Sequence, residues 1–188
     1  SHHRVLIVEI MGRYAGWISL HAGIAGGAHI ILITEVPFDI EEICNIIMRR
    51  EKQGKEYTMI AISEGAMPKD GTGFIAQADE KDQFGHVRLG GIAERLAREI
   101  EKKTGKEARH VVLGHLQRSG TPTAFDRVLG TRLGLNAVDF VHEKKFGMMV
   151  SLQGTDIVQV ELKDAVGELK IVPKYRYDEA KLFFGVEG

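Results

Sequence analysis

Arginine, histidine and glutamate stand beside glycine at three places, each where an apolar run ends. The first is Met11-Gly12-Arg13 and the second is Ser63-Glu64-Gly65. The third is Gly114-His115-Leu116-Gln117-Arg118, inside RHVVLGHLQRSGTP (109–122). Arginine and protonated histidine bind phosphate through charge-assisted hydrogen bonds. Glycine lets backbone N–H groups come close to an anion. A single carboxylate repels phosphate but accepts hydrogen bonds from hydroxyls. The combination describes a phosphorylated polyol, such as a sugar phosphate. Each residue alone has a plainer role: Arg13 as a surface charge, Glu64 as a partner for lysine, His115 as a structural imidazole.

The elements that must hold these residues follow from the hydrophobic pattern. RVLIVEIMG (4–12), HIILITEV (29–36), YTMIAISEG (57–65) and ARHVVLGHL (108–116) read as short buried strands. Helical spacing covers 13–27, with Trp17, Leu20 and Ile24 as its stripe. A second helix starts at the N-cap Asp39, carries Ile40, Ile43, Cys44 and Ile47, and stops at Gly54. A third runs over 89–105 through Ile92, Leu96 and Ile100, and a fourth over 123–145. MMVSLQG and DIVQVEL read as two further strands, with a weaker helix at 164–169 and no clear pattern beyond Pro173. Strands alternating with helices predict an α/β fold, a mainly parallel sheet with helices on both faces. Ligands sit at the carboxyl ends of such strands, where Arg13, Glu64, His115 and Arg118 all fall.

Composition narrows the class. The chain has 188 residues, 44% of them hydrophobic, and a formal net charge of -1, so it has no global attraction for nucleic acid or anionic membrane. The single cysteine, Cys44, excludes a disulfide framework and points to the cytoplasm. No apolar stretch approaches the ~18 residues that span a bilayer. GTGFIA (71–76) fits the dinucleotide fingerprint but joins no strand to an apolar helix, so it reads as a loop within 66–88. Gly90-Gly91 at a helix start could receive an anion, or simply allow close packing. Ser1-His2-His3 first suggests a tag remnant.

Arg4 and Arg109 stand at the opposite, amino-terminal starts of their strands. At ~3.3 Å per residue, each lies roughly 20 Å from Arg13 or His115 on its own strand. They are either flanking charges or groups serving a site in a neighbouring subunit.

The motifs VEIMGRYAGW (8–17) and LGHLQRSGTPTAFDR (113–127) resemble the 6-phosphofructokinase family. SHHR, AGIAGGAHIILITEVPF and AISEG extend the likeness in order over nearly the whole chain, which replaces the tag reading of Ser1-His2-His3. The resemblance implies the second half of a Rossmann-like three-layer sandwich. Residues 1–117 would form the fructose 6-phosphate-binding domain, 118–169 a return into the amino-terminal donor domain, and 170–188 a carboxyl-terminal tail. Met11, Gly12 and Arg13 match a substrate-contacting stretch, with Arg13 helping to stabilise the transferring phosphoryl group. Glu64 matches the carboxylate that binds sugar hydroxyls. His115 and Arg118 match a phosphate-binding pair, with Leu116 and Gln117 between them. Arg4 and Arg109 match arginines given across an interface in a homodimer or homotetramer. The implied reaction carries a phosphoryl group from ATP, or from pyrophosphate, to the 1-hydroxyl of fructose 6-phosphate, with Mg²⁺ on the donor. The family's donor loop and its aspartate-containing catalytic loop precede the region matching Ser1, so no Asp here is assigned as base.

Three departures matter. Ser119 stands where many members have glycine, and His29 where the bacterial enzymes carry an effector-binding glutamate. Of a lysine-rich effector stretch only Lys55 remains, which argues against that effector site. Two other functions compete: a sugar-phosphate-binding subunit without chemistry, and a nucleotide-binding domain using GTGFIA. The resemblance further implies that 123–145 lacks its packing partners when the other half is absent.

Overall fold

The structure, a computed structural model, describes residues 4–71 and 90–184. Ser1-His2-His3, most of GTGFIA and Leu89 lie outside the described residues. The described residues divide into two compact units, one running to Gln117 and resuming at Ile171, the other spanning Arg118–Lys170.

The first unit is built on four parallel strands: β1 (Arg4–Ile10), β2 (Ile30–Leu32), β3 (Tyr57–Ser63) and β4 (Ala108–Val112). Their order is β2-β3-β1-β4. Three helices alternate with them: α1 (Trp17–Ala25), α2 (Ile40–Lys52) and α3 (Ile92–Thr104). Side chains on a strand alternate between faces, and two cores result. Val5, Ile7, Ile30, Leu32, Ile60 and Ile62 pack with the apolar stripes of α2 and α3. Ile31 and Ile33 pack on the other face with Leu20 of α1 and with Val172, Tyr177 and Ala180. The last two belong to a helix at Lys174–Lys181, in the stretch whose sequence pattern was unclear. The mainly parallel sheet with helices on both faces is therefore present.

Local signals explain the helices. The Asp39 carboxylate accepts from the Glu41 N–H at 2.9 Å and caps α2. In α3 the stripe Ile92, Leu96 and Ile100 is fully buried. Several expected boundaries move inward. The helix expected from 13 begins at Trp17, and its buried face is Ser19, Leu20 and Gly23 while Ile24 is exposed. The strand expected over 29–36 keeps three residues, because the chain turns with Val36 N–H donating to the Ile33 carbonyl at 3.4 Å. The strand expected over 108–116 ends at Val112, and one tight helical turn, Gly114–Arg118, follows.

The second unit holds α4 (Ala124–His142), an antiparallel hairpin of β5 (Met148–Gln153) and β6 (Asp156–Glu161), and the short helix α5 (Leu162–Val166). Thr123 and Asp126 cap α4 reciprocally. The Thr123 hydroxyl and backbone N–H hold the Asp126 carboxyl below its ordinary range. The terminal helix Lys174–Lys181 is α6, and it belongs to the first unit.

Candidate functional site

The chain leaves β1 into Met11-Gly12-Arg13, and side chains from elsewhere capture that loop's backbone. Gly12 N–H donates to Glu64 Oε1 at 3.1 Å and Arg13 N–H to the same oxygen at 2.8 Å. Met11 N–H donates to Gln117 Oε1 at 2.8 Å. Gly16 N–H donates to both oxygens of Glu35, at 3.0 and 3.1 Å. Arg13 has φ 54°, which favours glycine over a long side chain. Gly65 is required by proximity: a Cβ there would stand 2.4 Å from the Arg13 carbonyl oxygen. The loops after β1, β3 and β4 are thus tied into one framework at the carboxyl edge of the sheet.

That edge opens into a cleft of about 320 Å³ lined by Glu9, Met11, Glu64, Gly90, Val112, Gly114 and His115. Its size is at the small end for a metabolite site. Of the residues singled out in the sequence, Met11, Glu64 and His115 line it together. Gly12 and Arg13 adjoin it through the Glu64 carboxylate, and Gln117 through Met11. Leu116 is exposed, and neither it nor Arg13 nor Arg118 is among the lining residues. Arg118 closes the Gly114–Arg118 turn and falls in the second unit. Arg4 and Arg109 stand at the strands' other ends, each with Nε on the carboxylate of Glu107 at 2.8 Å.

Glu9 joins Met11, Glu64 and His115 in lining the cleft. It is 2% exposed, with Oε1 accepting from Gly91 N–H and Oε2 from Ala93 N–H, both at 3.0 Å. The start of α3 is therefore occupied by the protein's own carboxylate, which corrects the reading of Gly90-Gly91 as an anion seat. Gly90 has φ 129°, and a Cβ there would meet Glu9 Oε1 at 3.3 Å. The signal was available: a glutamate in an apolar strand shares the face of Val5 and Ile7, and a buried carboxylate must find donors.

A larger cavity, about 690 Å³, lies among residues of α2, α3 and the chain after β3, including Asp39, Glu41, Lys69, Arg98 and Lys103. Lys69 pairs with Asp39 at 3.7 Å and Lys103 with Glu41 across it, and Arg98 pairs with Glu94 on its own helix. No strand end opens into it, so the smaller cleft is the better site. His29 has a structural partner: its Nδ1 accepts from Met59 N–H at 2.8 Å.

Comparison with known proteins bears on what the cleft belongs to. Residues 1–141 match the family described as "Phosphofructokinase". The chain belongs to the phosphofructokinase family. It is 56% identical, over 98% of its length and 54% of the relative's, to the pyrophosphate–fructose 6-phosphate 1-phosphotransferase of Amycolatopsis methanolica. It is 52% identical, over the same shares, to the ATP-dependent 6-phosphofructokinase of Mycobacterium tuberculosis strain H37Rv. The chain thus spans about half the length of these relatives. Among solved structures, phosphofructokinase from Pichia pastoris in the T-state is 32% identical with TM-score 0.67, covering 97% of this chain and 19% of that one. The pyrophosphate-dependent phosphofructokinase of Marinobacter aquaeolei shares the fold, with TM-score 0.73 at 24% identity over 93% of this chain and 43% of that one. The family's fold is therefore the fold of this chain. Among the described residues no helix is long and apolar enough to cross a membrane.

Proposed function

We propose that this chain carries the sugar-phosphate half of a phosphofructokinase-type phosphotransferase. The reaction moves a phosphoryl group from ATP, or from pyrophosphate, to the 1-hydroxyl of fructose 6-phosphate and gives fructose 1,6-bisphosphate, a step of glycolysis in the cytoplasm. The supporting observation is that Met11, Glu64 and His115, from three strand ends, line one cleft in a chain of this family. Glu64 holds the loop amides of Gly12 and Arg13 and accepts from sugar hydroxyls. Met11 and Gly12 shape the wall, and Arg13 offsets charge on the transferring group. His115 and Arg118, with Leu116 and Gln117 between them, take the 6-phosphate. Arg4 and Arg109 serve the sugar phosphate of a second copy in a homodimer or homotetramer.

Mg²⁺ accompanies the donor in such chemistry. Among the described residues no three His, Cys, Asp or Glu side chains converge as metal ligands; the reading gives the donor and its ion to the remaining portion of the enzyme, and no step is routed through them. Domain roles follow the same reading: residues 1–117 bind the sugar phosphate, and 118–169 join the donor domain.

The test mixes this chain with the remaining portion of the enzyme, Mg²⁺ and fructose 6-phosphate, supplying ATP and pyrophosphate separately. Turnover with one donor supports the proposal and names the donor. A complex that binds fructose 6-phosphate but turns over neither donor makes the chain a binding subunit. His115→Ala should weaken fructose 6-phosphate binding by ~1.5–3 kcal/mol, the worth of a charged hydrogen bond. Unchanged affinity in that variant removes His115 from the site.

A further inference from the structure

Glu107 sits between the two arginines at the amino-terminal edge of the sheet. Its Oε2 accepts from Arg4 Nε and its Oε1 from Arg109 Nε, each at 2.8 Å. The Glu107 carbonyl accepts from Val5 N–H at 3.0 Å, so the residue's backbone is fastened to β1 beside Arg4. The register places Arg109 opposite Leu6, and Leu6 shares a face with Arg4 two residues earlier. Both arginines therefore rise from the same face of adjacent strands. Like charges so placed repel, and a carboxylate with one oxygen for each sets their spacing. Glu107 engages each guanidinium at Nε, one of the five N–H donors a guanidinium carries.

We propose that Glu107 is a positioning residue that presents Arg4 and Arg109 as one preset pair to the phosphate of a sugar phosphate bound in a second copy of this chain. This rests on the reading that the two arginines serve a neighbouring site. The trio carries a net single positive charge, compact enough to attract a dianion and already restrained, so less side-chain freedom is lost on binding. The hydrogen bond from Arg109, and then the nearby charge of Arg4, hold the Glu107 carboxyl below its ordinary range. The clamp therefore stays charged through mildly acidic pH.

The experiment uses the complete, oligomeric phosphotransferase with fructose 6-phosphate as the varied substrate. Glu107→Gln keeps the shape and removes the charge. KM should rise about fivefold, the upper end for an exposed ion pair, with little change in kcat and a steeper loss of affinity with added salt. Glu107→Asp retains the charge with a shorter reach and should fall between the two. In an Arg4→Ala/Arg109→Ala background, Glu107→Gln should add nothing. If the arginine variants raise KM and Glu107→Gln does not, the positioning role is overturned and the neighbouring-site reading stands. A fall in KM makes Glu107 a competitor of the phosphate and overturns the proposal equally. If Arg4→Ala and Arg109→Ala leave KM unchanged, the reading beneath it is lost and this proposal goes with it. Should Glu107→Gln fail to fold, the Asp variant decides: a raised KM at constant kcat supports the role, and an unchanged KM removes it.

Discussion

Glu9 carries both the start of α3 and a wall of the cleft, so its chemistry tests the site from inside. Glu9→Gln keeps one acceptor oxygen and turns an amide donor toward a buried backbone N–H. That leaves a buried donor unsatisfied, worth about 1–3 kcal/mol. Urea unfolding should show a lower midpoint at an unchanged slope. Gly65→Ala tests the neighbouring loop. Its new methyl group meets the Arg13 carbonyl, and the loop must move away, so fructose 6-phosphate affinity should fall while the unfolding midpoint changes less. Residue type and strand-end position pointed to Glu64 and His115, and Met11 came with the family likeness; all three line one cleft. Glu9 showed only as a charge inside an apolar strand and Glu35 gave no signal, because the partners of both are backbone N–H groups distant in sequence, at Gly91, Ala93, Gly16 and Val172. Residue types announce what side chains can do, whereas backbone donors are the same at every position.

At the scale of elements, β2 depends on its flanks. His29 just before it accepts the Met59 amide of β3, and Tyr177 of α6 donates its hydroxyl to the Ile31 carbonyl at 2.9 Å. Burial, then the charges of Arg50 and Lys55, pull the His29 imidazole below its ordinary value of 6.5. The unfolded chain takes up a proton there that the folded chain resists. Stability from this group is therefore complete above about pH 6.5 and declines as pH falls through the window below it. His29→Asn offers an oxygen acceptor that does not titrate, and should flatten the slope of stability against pH between about 7.5 and 5. An equal slope in both proteins removes His29 as its source. Tyr177→Phe should cost about 1–2 kcal/mol, since the buried Ile31 carbonyl loses its donor. The stripes of α2 and α3 were readable because one face of each is apolar. The end of β2 was not: the apolar run Ile30–Ile33 continues past the last strand residue, Leu32, and an apolar run does not reveal where a chain turns.

At the scale of the whole molecule, α4 is unusual for a surface helix. Leu129, Leu133 and Phe140 are partly covered, yet Leu135 is 64% and Val141 61% exposed on other sides, and no residue of the helix is buried. A helix apolar on several faces belongs inside a larger structure. Amides of α4 should therefore exchange faster than those of β1 and β3 in the chain alone, and slow down on addition of the enzyme's remaining portion. Exchange that is equally slow in the chain alone would show α4 to be already fully packed. A last consequence concerns connectivity. The chain leaves the four-stranded sheet at Gln117 and comes back at Ile171 to seat Val172, Tyr177 and Ala180 beneath α1. Proteolytic nicking at the bend between α4 and β5 would yield two fragments that still travel together through a sizing column, the smaller one moored by α6 rather than by any peptide bond.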